Sequence, residues 1–94
     1  MKSISEETNF IELVRKFIVQ KFPLARRRNI SDTDNLLETG VIDSLGVLEI
    51  VTFLREEFSL EVEDDELTPE NFQSIRSIAG FVRQRISFQQ EVVK

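Results

Sequence analysis

Three stretches of this chain space their apolar residues at intervals of three and four, and no run alternates convincingly as a half-buried strand does. In the first, Phe10, Leu13, Val14, Phe17 and Ile18 share a face opposite Glu12, Arg15, Lys16 and Gln20. The second carries Val47, Ile50, Val51, Leu54 and Phe58. The third carries Ile75, Ile78, Ala79, Val82 and Ile86, with Phe81 beside them. These stripes predict amphipathic helices over about 7–21, 44–58 and 75–88. Thr68-Pro69-Glu70-Asn71-Phe72 adds a very short helix, with Thr68 as its cap and Pro69 at the first helical position. Ser74 caps the last helix. The expected fold is all-α, a small four-helix bundle of three main helices plus a short third one. It forms a single domain with an ordered core at about 7–88 and a frayed tail at 89–94.

Pro23 stops the first helix and pushes Phe22 toward an extended conformation. Residues 22–43 then form a long connection without a sustained period. Such a length is uncommon inside a compact domain and points to an ordered or functional loop. Ile30, Leu36, Leu37, Val41 and Ile42 are the residues to pin it to the core, and Gly40 supplies a positive φ ahead of the second main helix. Glu61 to Glu66, five acids in six residues, reads as a solvated loop.

Composition removes whole classes of chemistry. The 94 residues contain no cysteine, which excludes disulfides, thiolate metal sites and a cysteine nucleophile. They contain no histidine, which excludes a Ser-His-Asp triad and imidazole metal ligands. No stretch approaches the roughly 20 apolar residues of a membrane span, and no signal-peptide pattern opens the chain, so a soluble, cytoplasmic protein is expected. Net charge is −5, unevenly placed: residues 1–31 sum to +4, residues 32–70 to −12 and residues 71–94 to +3. A nucleic-acid role would need clustered bases at the binding surface, whereas an acidic middle favours basic protein partners and solubility.

That acidic middle holds Gly40-Val41-Ile42-Asp43-Ser44-Leu45-Gly46, which sets a serine where the loop ends and the second main helix begins. Asp43 or Ser44 suits the N-cap, and the helix start attracts anions through its free N–H groups and dipole. A hydroxyl there is placed to carry a phosphate ester. Hydrolase chemistry is rejected: Ile42 stands where a lipolytic serine motif needs Gly, and no histidine exists to activate the hydroxyl. Asp32-x-Asp34 opens like a calcium loop but continues with Leu36 and Leu37 where a ligand and a Gly belong, so no metal site is expected. Arg26-Arg27-Arg28 reads as a solvated basic run.

The order of a helix, a long loop, a serine-headed helix, a short helix and a last helix resembles the acyl carrier protein family over about Phe10 to Ile86. The resemblance is strongest at Gly40-Val41-Ile42-Asp43-Ser44-Leu45. It continues in Phe72-Gln73-Ser74-Ile75-Arg76-Ser77-Ile78-Ala79-Gly80-Phe81-Val82, which looks like the final segment of free-standing carriers. The resemblance implies a carrier domain in which a phosphopantetheinyl transferase attaches 4′-phosphopantetheine to Ser44, flanked by Asp43 and Leu45. The arm's thiol would then hold an acyl or aminoacyl group as a thioester. The protein itself would catalyse nothing. It would present cargo to a loading ligase or transferase and to downstream synthase enzymes of fatty acid, polyketide or nonribosomal peptide type. The sequence gives no strong sign of a homo-oligomer, so a monomer is expected.

Ser44, Leu48 and Thr52 fall on one helix face at four-residue steps. Leu45 and Leu48 suit the apolar centre of a partner contact, with Glu38, Asp43, Glu49 and Glu56 as its charged rim and Thr52 on the same face. Gly46 and Arg55 stand where fatty-acid carriers typically place acids, and Thr52 replaces a larger apolar residue. These departures point to a specialised carrier with a dedicated loading enzyme in secondary-metabolite, amino-acid or lipid-modifying biosynthesis. The alternative is a helical interaction domain that keeps the fold without the prosthetic group.

Overall fold

The computed structural model describes the backbone of residues 6–92 and the side chains of residues 10–86. In order, the helices are α1 (Glu6–Lys21), α2 (Pro23–Arg28), α3 (Ser44–Phe58), α4 (Pro69–Phe72) and α5 (Ile75–Val92), with a 3-10 turn at Asp64–Glu66. The main helices stand where the apolar stripes place them. The bundle is all-helical among the described residues, and none of its helices is long and apolar enough to cross a membrane. α5 runs on to Val92, past the expected end at Phe88, and the rest of the expected frayed tail lies outside the described residues.

The core is built from Val14 and Ile18 of α1, Ile50 and Leu54 of α3, Phe72 of α4, and Ile75, Ile78, Ala79 and Val82 of α5, all at most 1 % exposed. α1 packs on α5, and α4 on the start of α5. α3 is held to α1 across large rings. Phe17 and Phe53 stack with centroids 4.2 Å apart, and Phe58 meets both Phe10 and Phe53 edge to face. Each such ring pair adds about 0.5–1.5 kcal/mol beyond its area burial. Val47, Val51 and Phe58, expected on the buried stripe, are half-buried rather than enclosed. Leu13, expected on the buried face, is 38 % exposed, and Ile11 packs against the core instead.

The connection at 22–43 differs from the featureless loop expected. It opens with a helix of six residues, α2, and only its tail is irregular. Pro23 ends α1 and also occupies the first turn of α2, where its missing N–H is no loss. α2 closes on Asn29 in the left-handed region (φ 53°). Its single buried side chain is Ala25, so no apolar stripe announced it. From Ile30 to Ile42 the chain is tied down bond by bond. Arg15 donates to the Ile30 carbonyl (3.1 Å) and pairs with the Asp32 carboxylate, while the Asp32 carbonyl accepts from Arg76 N–H at the start of α5 (3.0 Å). Leu36, fully buried, donates its N–H to the Gln73 carbonyl (2.7 Å). Asn35 Oδ1 accepts from the N–H groups of Leu37 and Glu38, and its amide reaches Gln73 Oε1 (3.2 Å).

Two local expectations are revised. Thr68 precedes Pro69 as anticipated, but its side chain caps nothing. The N–H groups of Asn71 and Phe72 turn to its backbone carbonyl instead. The acidic stretch is not wholly solvated, because Arg85 of α5 donates to Glu66 (2.7 Å) and to the Glu61 carbonyl (2.8 Å) and lies over the Phe81 ring. Ser74 does cap α5, accepting from Ser77 N–H at 3.0 Å.

Leu54→Ala should cost about 2–5 kcal/mol in urea unfolding, the range for a fully enclosed side chain. Leu48→Ala, on the open face of the same helix, should stay within about 0.5 kcal/mol. A second prediction concerns Asp34, whose exposed carboxylate accepts from Ser31 N–H and Ser31 Oγ, both at 2.9 Å. The backbone bond first, then the hydroxyl, holds its pKa below the ordinary 3.8. The turn is therefore fully supported above the unfolded carboxylate pKa, and that support is lost as pH falls through the lower folded value. An NMR titration of Asp34 should show the depressed midpoint, and Ser31→Ala should raise it.

Candidate functional site

α3 begins on a cap that decides what its serine is free to do. Asp43 sits in extended conformation (φ −112°, ψ −170°), and its Oδ1 accepts from Gly46 N–H at 2.9 Å. Its carbonyl takes the first helical bond, from Val47 N–H at 3.0 Å. Asp43 is thus the N-cap and Ser44 the first helical residue. Ser44 is exposed, and its hydroxyl makes no hydrogen bond to any described residue. Capping, the simplest structural duty for a serine here, belongs to its neighbour.

The approach to the cap is rigid. Val41 and Ile42 are buried, and Ile42 N–H donates to the Leu36 carbonyl at 3.0 Å. Gly40 makes the preceding bend with φ +80°, a conformation that a side chain would strain. Two enclosed apolar residues therefore stop immediately before two exposed polar ones, and the serine is presented on an anchored stalk.

Beyond Ser44 the open face of α3 carries Leu45 (70 % exposed) and Leu48 (53 % exposed), with Glu49, Thr52, Arg55 and Glu56 around them. The structure brings Ser44, Leu45, Leu48, Thr52, Glu49 and Glu56 onto one surface. The Thr52 hydroxyl turns back to the Leu48 carbonyl (3.2 Å) and so offers a partner mainly its methyl group. Glu38 lies in the loop ahead of the cap, exposed, its N–H held by Asn35. Glu49, Thr52 and Glu56 also border a shallow groove floored by Phe17 and Phe53, with Lys21 on its far side.

Gly46 has a role that the sequence does not announce. It is buried, not part of the open face: a Cβ there would lie 2.8 Å from Ile42 Cγ2 and 2.9 Å from Phe22 Cε1. An acid at this position has no route to a partner. The signal that existed was Gly46 itself, a poor helix former in a first turn, which marks a close approach.

The site meets the demands of a prosthetic group esterified to serine. The hydroxyl is exposed and unbonded among the described residues, and it sits in the first turn of α3, the end of a helix that favours an anion. A family model described as "Phosphopantetheine attachment site" matches residues 12–82. The acyl carrier protein of Buchnera aphidicola subsp. Baizongia pistaciae (strain Bp) is 30% identical over 78 residues, spanning 83% of this chain and 96% of that protein. That of Buchnera aphidicola subsp. Acyrthosiphon pisum (strain APS) is 26% identical, over 82% and 92%. A Serratia sp. (strain ATCC 39006) protein named "Probable acyl carrier protein PigG" is 26% identical, over 70% and 76%. The fold and the matched segment together define a phosphopantetheine-attachment domain. The chain belongs to the acyl carrier protein family. Its cofactor is 4′-phosphopantetheine, and its class of work is carrying rather than catalysing.

Removing the cap and removing the serine should separate cleanly. Asp43→Ala should cost about 1 kcal/mol of stability in chemical denaturation, as a lost N-cap does. Ser44→Ala should stay within about 0.5 kcal/mol, as an exposed position does.

Proposed function

We propose that Ser44 is the residue that receives 4′-phosphopantetheine from coenzyme A, through a phosphopantetheinyl transferase, and that the protein then shuttles an acyl or aminoacyl group between partner enzymes. The observation that carries this reading is the division of labour at the head of α3. Asp43 closes the helix end, leaving the Ser44 hydroxyl exposed and uncommitted among the described residues. When bound, the group supplies a thiol on a long arm that holds cargo as a thioester. The chain's own residues do the presenting. Val41 and Ile42 anchor the stalk, and the positive end of the α3 dipole would favour the phosphate.

In this reading the open face of α3 is the docking surface, with Leu45 and Leu48 at its centre and Asp43, Glu49, Glu56 and Glu38 as an acidic rim for a basic partner. Thr52 and Arg55 lie on the same surface. Arg55 sets a positive charge among those acids, and Gly46 contributes no charge to the partner at all. Both features support a specialised carrier loaded by a dedicated acid- or amino-acid-activating ligase, over a general carrier loaded by a malonyl transferase.

Incubation with coenzyme A, magnesium and a broad-specificity phosphopantetheinyl transferase should add one phosphopantetheine to the wild type and none to Ser44→Ala, read by intact mass. A folded wild type that gains nothing would instead favour a helical interaction domain. Leu48→Asp and Glu49→Lys should each slow loading by the ligase about tenfold or more, the size of one lost interface contact. Unchanged loading in both would remove the α3 face as the docking surface.

A further inference from the structure

The segment between α1 and the loop touches the serine's surroundings from two sides. Phe22, just ahead of α2, lays its ring against the first turn of α3, where a Cβ on Gly46 would lie 2.9 Å from Cε1 and 3.2 Å from Cζ. Real Cβ atoms do not come within 3.0 Å of a neighbour, so this approach exists only because residue 46 has no side chain. Phe22 is itself fixed. Its N–H donates to the Ile18 carbonyl (2.9 Å), its carbonyl accepts from Ala25 N–H (3.0 Å), and its ring meets Phe17 edge to face. At the far end of α2, Arg28 donates to the Thr39 carbonyl (3.0 Å), one residue before the Gly40 bend. Arg26 donates to the Val19 carbonyl (3.2 Å) and ties α2 to the last turn of α1.

We propose that Phe22 and α2 together form a brace that positions Ser44 for attachment of its arm, gripping the helix after the serine through Phe22 on Gly46 and the loop before it through Arg28 on Thr39. Phe22, Gly46 and Arg28 are then positioning residues. This rests on the reading of Ser44 as the attachment residue. The arrangement gives two sequence oddities one explanation. A glycine sits in the first turn of a helix because the Phe22 ring and the Ile42 methyl both occupy the space a Cβ would need. An arginine run that pairs with no carboxylate among the described residues has two of its guanidinium groups on backbone carbonyls. The competing use of those arginines is direct docking of an acidic partner, and the two uses differ in what they predict for Arg27.

The test is steady-state arm transfer by a broad-specificity phosphopantetheinyl transferase, with the carrier as varied substrate and circular dichroism confirming wild-type helicity at the assay temperature. Gly46→Ala should lower kcat about tenfold while KM stays within about twofold, because the hydroxyl is displaced whereas Leu48 and Glu49, a turn further on, are not. Phe22→Leu in the Gly46→Ala background should recover part of that loss, since it removes the two ring contacts and leaves the one with Ile42 Cγ2. Arg28→Gln should lower kcat by about threefold, and Arg27→Gln should change neither constant. The brace is overturned if folded Gly46→Ala and Arg28→Gln both turn over like wild type. It is equally overturned if Arg27→Gln and Arg28→Gln raise KM alike, the mark of a charge-docking surface. Should Gly46→Ala fail to fold, Arg28→Gln against Arg27→Gln decides alone. A wild type that accepts no arm removes the Ser44 reading itself.

Discussion

The structure turns on Leu36. Its side chain is fully enclosed, its N–H is bonded to the Gln73 carbonyl, and its carbonyl accepts from Ile42 N–H. One residue thus joins the long connection to the α4–α5 corner on one side and to the entrance of α3 on the other. Without that joint, the residues from Ile30 to Asp43 would be a tether that lets the serine wander. With it, backbone groups that a loop would otherwise leave to water are satisfied inside the protein, and the start of α3 has a defined place. Asn35 strengthens the same joint, since its side chain serves two loop amides and Gln73 at once.

From this joint follows a surface with two unlike neighbourhoods around Ser44. α3 offers exposed leucines ringed by acids, and α2 offers arginines held by carbonyls. In the proposed reading the α3 face meets several enzymes in succession, so it must be apolar enough to bind and charged enough to let go and reorient. Leu45 and Leu48 remain exposed at little cost because single apolar side chains on a surface are ordinary. In that reading the acids around them would steer encounters with basic partners. The strongly acidic 61–66 stretch is partly withdrawn from this field, since Arg85 draws Glu66 and the Glu61 carbonyl back toward α5.

Much of this was legible residue by residue. The stripes on α1, α3 and α5 located those helices, because burial on one side imposes a period that survives in the sequence. Ser74 as a cap, Gly40 at a positive φ, and the pins Ile30, Leu36, Val41 and Ile42 were all readable, since each is a residue type suited to one local need. α2 was not, because a two-turn helix that buries only Ala25 has no stripe to read. Leu13 was misplaced because the periodicity gives a face but not where the partner helix ends. Thr68 failed as a side-chain cap because a suitable residue at a helix start need not make the bond. At the serine, sequence alone left Asp43 and Ser44 as equal candidates for the cap.

The sequence by itself determined the helical class, the position of the serine at a helix start, and the exclusion of cysteine and histidine side-chain chemistry. These depend on residue types and on spacings within single elements. Only the tertiary structure decided that Asp43 and not Ser44 closes the helix, that Gly46 lies beneath the Phe22 ring, and that the long connection is fastened to the α4–α5 corner. Those outcomes depend on which atoms from distant parts of the chain arrive in the same few ångströms, and no local pattern encodes that.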